Sequence, residues 1–170
     1  PLSVLSPVCA SGPSACSSAS VRARFQAYVP GVPALAFGDL FLVEVRAYRD
    51  RLLAPTGFEP LFPIWGLDTA ELARRFVDDG FVARLVCVDT TQLDGSFAHR
   101  AFDDSLLAEL PSSVDPCGER GEFHTFVSDG PGYDGPVEYT VGETVLRDER
   151  FVYCDLIPGD TTTKTNYEKS

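Results

Sequence analysis

The sequence predicts an α/β protein: a layered parallel sheet in the first half, followed by a small, mainly antiparallel α+β module. Residues 33–88 alternate short apolar runs with amphipathic stretches in the order strand, helix, strand, helix, strand, the grammar of a layered sheet with right-handed crossovers. Beyond Asp89 that alternation stops, and three strand-like runs follow, two of them joined by a tight turn. With 44% hydrophobic and 23% charged residues in 170, the chain has the apolar material for a core.

Residues 1–8 form a short apolar run that reads as a strand remnant, and residues 9–20 (CASGPSACSSAS) read as a loop. Residues 21–29 suit a short helix. PALAF (33–37), ending at Gly38-Asp39, has the look of a buried parallel strand. Phe41, Val45, Tyr48 and Leu52 then fall on one helical face, with Glu44, Arg46, Asp50 and Arg51 elsewhere on the wheel, and Pro55 and Gly57 stop the helix. Residues 58–64 give a second strand leading into Trp65-Gly66. Asp68 and Glu71 have capping-box spacing ahead of a helix with Leu72, Phe76 and Val77 on its buried stripe, closed by Gly80. FVARLVCV (81–88) is the most strongly strand-like segment. A short helix over 103–110 buries Leu106, Leu107 and Leu110, and strands follow over 122–128, 137–145 and 151–157, with a hairpin turn at Arg147-Asp148-Glu149-Arg150. This divides the chain into residues 1–89, a module over 90–157 and a disordered tail over 158–170.

Composition narrows the function. A net charge of −11 disfavours a general nucleic-acid surface, no run approaches the ~18 apolar residues of a membrane span, and no signal peptide is visible. The five cysteines are scattered, with no paired motif, so they read as structural thiols of a reducing, cytoplasmic protein. The chain has no methionine, so Pro1 is not a translation start, and its only lysines, Lys164 and Lys169, lie in the tail. A phosphate loop that relies on lysine is therefore absent from the folded part.

The densest polar constellation is Asp115-Pro-Cys-Gly-Glu119-Arg-Gly121-Glu122-Phe-His124-Thr125. Glycines either side of Glu119 permit a close turn, and Glu122 and His124, two apart, are expected on one face of the following strand. Such a group could move protons, orient ammonia or hold a cation; the plainer alternative is a glycine turn whose polar side chains face water. One histidine and two glutamates on a turn make a poor metal site, and no metal is expected. Gly38-Asp39 lies where a strand feeds a helix, the ligand rim of an open α/β sheet, though Asp39 equally suits the helix N-cap. Trp65 and Asp89 end the next two strands on the same rim, Trp65 either packing or offering a stacking platform. His99 reads as a surface residue.

AFGDLFLVEVRAYR (36–49), PLFPIWGLDT (60–69), VCVDT (86–90) and VDPCGERGEFHTFVSDGP (114–131) together resemble the diphthine–ammonia ligase family, ATP pyrophosphatases of the adenine-nucleotide alpha-hydrolase type. The resemblance runs from about residue 34 to 156, and it implies a Rossmann-like (HUP-type) nucleotide domain over 1–89 and an acceptor-binding module over 90–157. It implies an enzyme that uses ATP with Mg2+ to adenylate a carboxylate, which ammonia then converts to an amide. The acceptor it implies is diphthine on elongation factor 2; bacterial-type relatives act on another carboxylate. It places the nucleotide at Gly38 and Asp39, catalytic roles on Glu119, Glu122 and His124, and substrate contacts on Trp65, Asp89, Gly121 and Thr125.

Two departures qualify the resemblance. The family opens with a lysine-containing phosphate loop, for which Ser11-Gly12-Pro13-Ser14 is no substitute, and Arg120 stands where a small or amide side chain is expected. The chain thus reads as an incomplete copy of an amide ligase, and the 170 residues alone are expected to turn over ATP poorly. The alternatives are a binding module that keeps the acceptor pocket without ATP chemistry, and the product of a damaged reading frame.

Overall fold

The computed structural model describes residues 31–159; the expectations for 1–30 and for the tail from 160 lie outside them. Within the described residues the chain is α/β, in two units that part between Gly66 and Leu67.

In the first unit, strand β1 (Ala34–Ala36) runs parallel to β2 (Glu59–Leu61), Leu35 opposite Pro60, with helix α1 (Val43–Leu53) as the crossover. α1 has no side-chain cap: Leu42 occupies the N-cap position, and Asp39, three residues earlier, is ion-paired with Arg49 instead. The helix ends where Thr56, buried, donates its hydroxyl to the Leu53 carbonyl at 2.7 Å and accepts from the Phe58 amide at 3.2 Å. Beyond the strands, the Gly66 amide donates to the Leu40 carbonyl at 2.7 Å and ties the two strand-end loops together.

The second unit is a four-stranded antiparallel sheet with two short helices. Helix α2 (Thr69–Asp78) begins on Asp68, whose carboxylate accepts from the Glu71 amide at 2.8 Å, as the capping spacing anticipated. Strand β3 (Val82–Asp89) and helix α3 (Asp104–Glu109) follow, then β4 (Phe123–Asp129), β5 (Tyr139–Arg147) and β6 (Phe151–Pro158), in the spatial order β4-β3-β6-β5. The core between helices and sheet gathers Ala73, Leu85, Val88, Phe102, Leu106 and Phe123, with Phe76 stacked on Phe81 at 4.7 Å. No helix among the described residues is long and apolar enough to cross a membrane.

β3 corrects the expected topology. Read as a third parallel strand, it instead runs antiparallel to both β4 and β6. A strand buried along most of its length has the same near-continuous apolar sequence in either kind of sheet; only its partners, both downstream of residue 120, decide the direction. A full layered parallel sheet is not what these residues form.

The end of β3 is fastened to the β5–β6 hairpin by charge. Asp89, 1% exposed, accepts from Arg150 Nε at 3.0 Å and Nη2 at 2.5 Å, and also from the Thr91 amide, the Thr91 hydroxyl and Gln92 Nε2. The Arg150 guanidinium holds the Asp89 carboxyl well below the usual carboxylate range, outweighing the opposing effect of burial. The hairpin itself turns through Asp148 and Glu149, both at positive φ (52° and 53°), the handedness that matches antiparallel strand twist.

Two predictions follow from these bonds. Asp89→Asn should lower the melting temperature at pH 7 by more than about 5 °C. Because the folded-state carboxyl is depressed, that advantage is present above about pH 4 and shrinks as pH falls further, so melts of the two proteins should converge in acid. Glu149→Gly, which relieves a left-handed glutamate, should raise stability by up to about 1 kcal/mol in urea titrations.

Candidate functional site

The turn over residues 115–122 is built around two buried carboxylates. Asp115 Oδ1 accepts from the Cys117 amide at 2.9 Å and the Glu119 amide at 3.3 Å. Glu122, 1% exposed, accepts from the Asp115 amide at 2.9 Å and the Arg120 amide at 3.0 Å. Backbone bonds from the Gly118 amide to the Asp115 carbonyl and from the Gly121 amide to the Gly118 carbonyl close two successive tight turns. Gly118 cannot be replaced lightly: its φ is 67°, and a Cβ there would lie 2.8 Å from the Phe123 carbonyl oxygen. Each carboxylate thus satisfies two amides that the turn would otherwise leave unmet.

This corrects the expected placement of Glu122. The two-residue spacing puts Glu122 and His124 on one exposed face; the structure buries the first and exposes the second. Glu122 precedes β4, and its side chain folds back to the turn because the Asp115 and Arg120 amides draw it there. His124 and Thr125 are exposed on β4, opposite Cys87 and Leu85 of β3. Glu119 is half-buried at the crest of the turn, and Gly121 stands at φ 84°.

Asp89 joins this region through its backbone, its amide donating to the Glu122 carbonyl at 2.9 Å, while its carboxylate is spent on Arg150, Thr91 and Gln92. Glu119, Gly121, Glu122, His124, Thr125 and Asp89 are therefore brought together, whereas Gly38, Asp39 and Trp65 lie in the first unit. His99 is exposed, as expected, at φ 68°, and its carbonyl accepts from Arg84.

In the first unit, Phe37, Phe62 and Trp65 follow the carboxyl ends of β1 and β2 and are interleaved with arginines of α1. Phe37 stacks on Phe62 (centroids 5.7 Å), Trp65 meets Phe62 edge-on at 6.0 Å, and the Arg46 guanidinium lies 4.6 Å from the Phe62 ring and 4.7 Å from Trp65. Arg49 lies over Phe37 at 5.0 Å and pairs with Asp39 at 3.4 Å. Gly38 is exposed, and a Cβ there would meet only Ile64 Cδ1 at 4.0 Å. Among the described residues neither strain nor packing calls for glycine at that strand end; the close approach of a ligand to the backbone would.

The three thiols among the described residues are all held away from the thiolate form. Cys117 donates to the Thr69 carbonyl at 3.3 Å and is pushed up to about 12, first by burial and then by Asp115, Glu119 and Asp68. Burial also raises Cys87 and Cys154. No group of three or more His, Cys, Asp or Glu side chains able to hold a metal occurs among the described residues.

Sequence reasoning missed three residues of consequence. Asp115 carries a local signal, an aspartate two residues before the amide it caps. Arg150 carries none, because its partner is 61 residues away. Arg46 falls off the apolar face of the helix wheel, which carries no sign of the two rings that hold it.

Comparison with known families gives one finding for this unit: the model of the diphthamide synthase C-terminal domain matches residues 68–155. No curated protein matches the chain.

Glu122→Ala should cost about 1–3 kcal/mol in denaturant titrations, since it strands two inward-facing amides, whereas His124→Ala should stay within about 0.5 kcal/mol of the parent. Cys117 in the folded protein should resist iodoacetamide at pH 8 and react only on unfolding, followed by mass spectrometry of its peptide.

Proposed function

The chain belongs to the diphthamide synthase C-terminal domain family, and from that membership we propose that it serves diphthamide biosynthesis as part of an ATP-dependent amide ligase. ATP supplies the activation: the acceptor carboxylate is adenylated with release of pyrophosphate, and ammonia then displaces AMP to leave an amide. The acceptor is diphthine on elongation factor 2.

The observation that carries this reading is the braced turn with an exposed imidazole beside it, inside the matched region. Adenylation and amination need little covalent help from a protein; they need an acceptor held still and a proton taken from the attacking nitrogen. The second task is assigned to His124, a reading supported by its exposure and its position on a strand rather than a loop. Thr125, the next residue and also exposed, leaves the other face of β4, and Glu119, half-buried in the turn, is the carboxylate assigned to orient the ammonia. Glu122 contributes by holding the turn from inside, a positioning role. Gly38 and Asp39 fit the nucleotide, Gly38 by leaving its backbone open to close approach, and Mg2+ would come with the phosphates rather than from a protein cage.

The rival reading is a recognition module without ATP chemistry. It is favoured by the internal commitment of Asp89 and Glu122, which leaves fewer carboxylates for catalysis.

Two measurements decide, both made on a form of the protein that carries a lysine-containing phosphate loop ahead of these residues, since the 170 residues alone are expected to turn over ATP poorly: binding of diphthine-bearing elongation factor 2, and ammonium-dependent release of AMP from ATP. His124→Ala is expected to lower AMP release about a hundredfold with an unchanged melt. AMP release that survives His124→Ala overturns the site, and acceptor binding with no AMP release in any form of the protein favours the module.

A further inference from the structure

Arg46 occupies an unusual position. Its guanidinium sits in the corner between two rings set at 70° to each other, 4.6 Å from Phe62 and 4.7 Å from Trp65. The rings hold its flat face and satisfy none of its N–H donors, which project from the edge of the fork. No carboxylate among the described residues pairs with it; the nearby Asp39 is taken by Arg49. A half-buried cation, held by two rings and without a carboxylate partner among the described residues, is prepared for an anion at little entropic cost.

Its surroundings say which anion. Arg46 stands in the same side-chain cluster as the Gly38-Asp39 strand end, connected through Phe62, Phe37 and Arg49. Loops at the carboxyl ends of parallel strands, with a glycine that lets the backbone come close, are suited to phosphate, which takes several N–H donors at once.

We propose that Arg46 is a phosphate-recognition residue of the first unit, locked in place by Phe62 and Trp65 and braced by the Arg49–Asp39 pair. The assignment rests on the reading of Gly38-Asp39 as the nucleotide's strand end, and it adds the residue that grips the charged part of that ligand. Trp65 then acts as the wall that orients Arg46.

The chain provides its own reporter, because Trp65 is its single tryptophan. Trp65 emission is titrated with inorganic pyrophosphate, AMP, adenosine and acetate, in the parent, Arg46→Met and Arg46→Lys. Pyrophosphate and AMP should change the emission saturably, adenosine and acetate far less. Arg46→Met, which keeps the packing stem, should weaken pyrophosphate and AMP about tenfold or more with an unchanged melt, and Arg46→Lys should restore part of the loss.

A parent protein that responds to neither phosphate ligand overturns the proposal. So does equal affinity in parent and Arg46→Met, or an acetate response matching that of AMP. Should Arg46→Met not fold, a parent-like affinity in Arg46→Lys is the overturning result, because an ammonium cannot reproduce the stacked fork. The ligase reading fails separately: phosphate binding through Arg46 with no AMP release in any form of the protein leaves the site standing, and AMP release insensitive to Arg46 leaves the ligase without it.

Discussion

The second unit depends on what happens at the end of β3. Within two residues, Val88 and Asp89 meet β4 on one side and β6 on the other, and the Asp89 amide bonds to the carbonyl of Glu122. A carboxylate buried there would be ruinous alone, since desolvating a charge costs several kcal/mol. Five donors remove that cost, two of them from an arginine on the far hairpin. The hairpin is consequently held to the strand by a requirement rather than by contact area: either the charge is met by Arg150 or the strand end cannot stay buried.

The same logic, a little further along the sheet, shapes the turn that precedes His124. Asp115 and Glu122 face inward and accept backbone amides, so the loop between α3 and β4 is closed by its own acidic side chains, although nothing regular supports it. A loop closed in this way is less mobile than its glycine content suggests. That matters for a residue meant to meet a substrate, because a displacement of about 1 Å at a reacting group can cost a hundredfold in rate. Rigidity close to His124 comes from inward-facing carboxylates, one of which, Glu122, the sequence suggests as catalytic.

Much of this was legible in the sequence. The Asp68 cap, the strength of β3 and the Arg147–Arg150 turn follow from local rules of spacing and propensity, while the stripe expected on α2 is met in part: Phe76 and Val77 pack on the core half-buried, and Ala73 is the residue that is buried. What was not legible depends on partners distant in sequence. The apolar run of β3 does not reveal whether its neighbours run parallel or antiparallel, and Asp89 gives no hint of an arginine 61 residues on. Asp39 had the right residue type for a cap, but the helix starts too far downstream, and Arg49, one face along, claims the carboxylate. Glu122 illustrates the commonest failure. Period-2 reasoning applies inside a strand, and Glu122 lies one residue before it begins.

The two units share a device. In each, an aspartate is committed to an arginine, Asp39 to Arg49 and Asp89 to Arg150, and another polar group has no such pairing among the described residues, Arg46 in one unit and His124 in the other. The pairs differ in strength as their burial requires. Arg49 and Asp39 approach in a single contact of 3.4 Å, which aids orientation more than stability, while Asp89 is buried and held bidentately. Arg46 is set apart from the other arginines that form no ion pair among the described residues by being half-buried between two rings. Aromatic rings hold a guanidinium without neutralising it. That is the physical reason to look for an anionic ligand in the first unit, and for acceptor chemistry around the imidazole in the second.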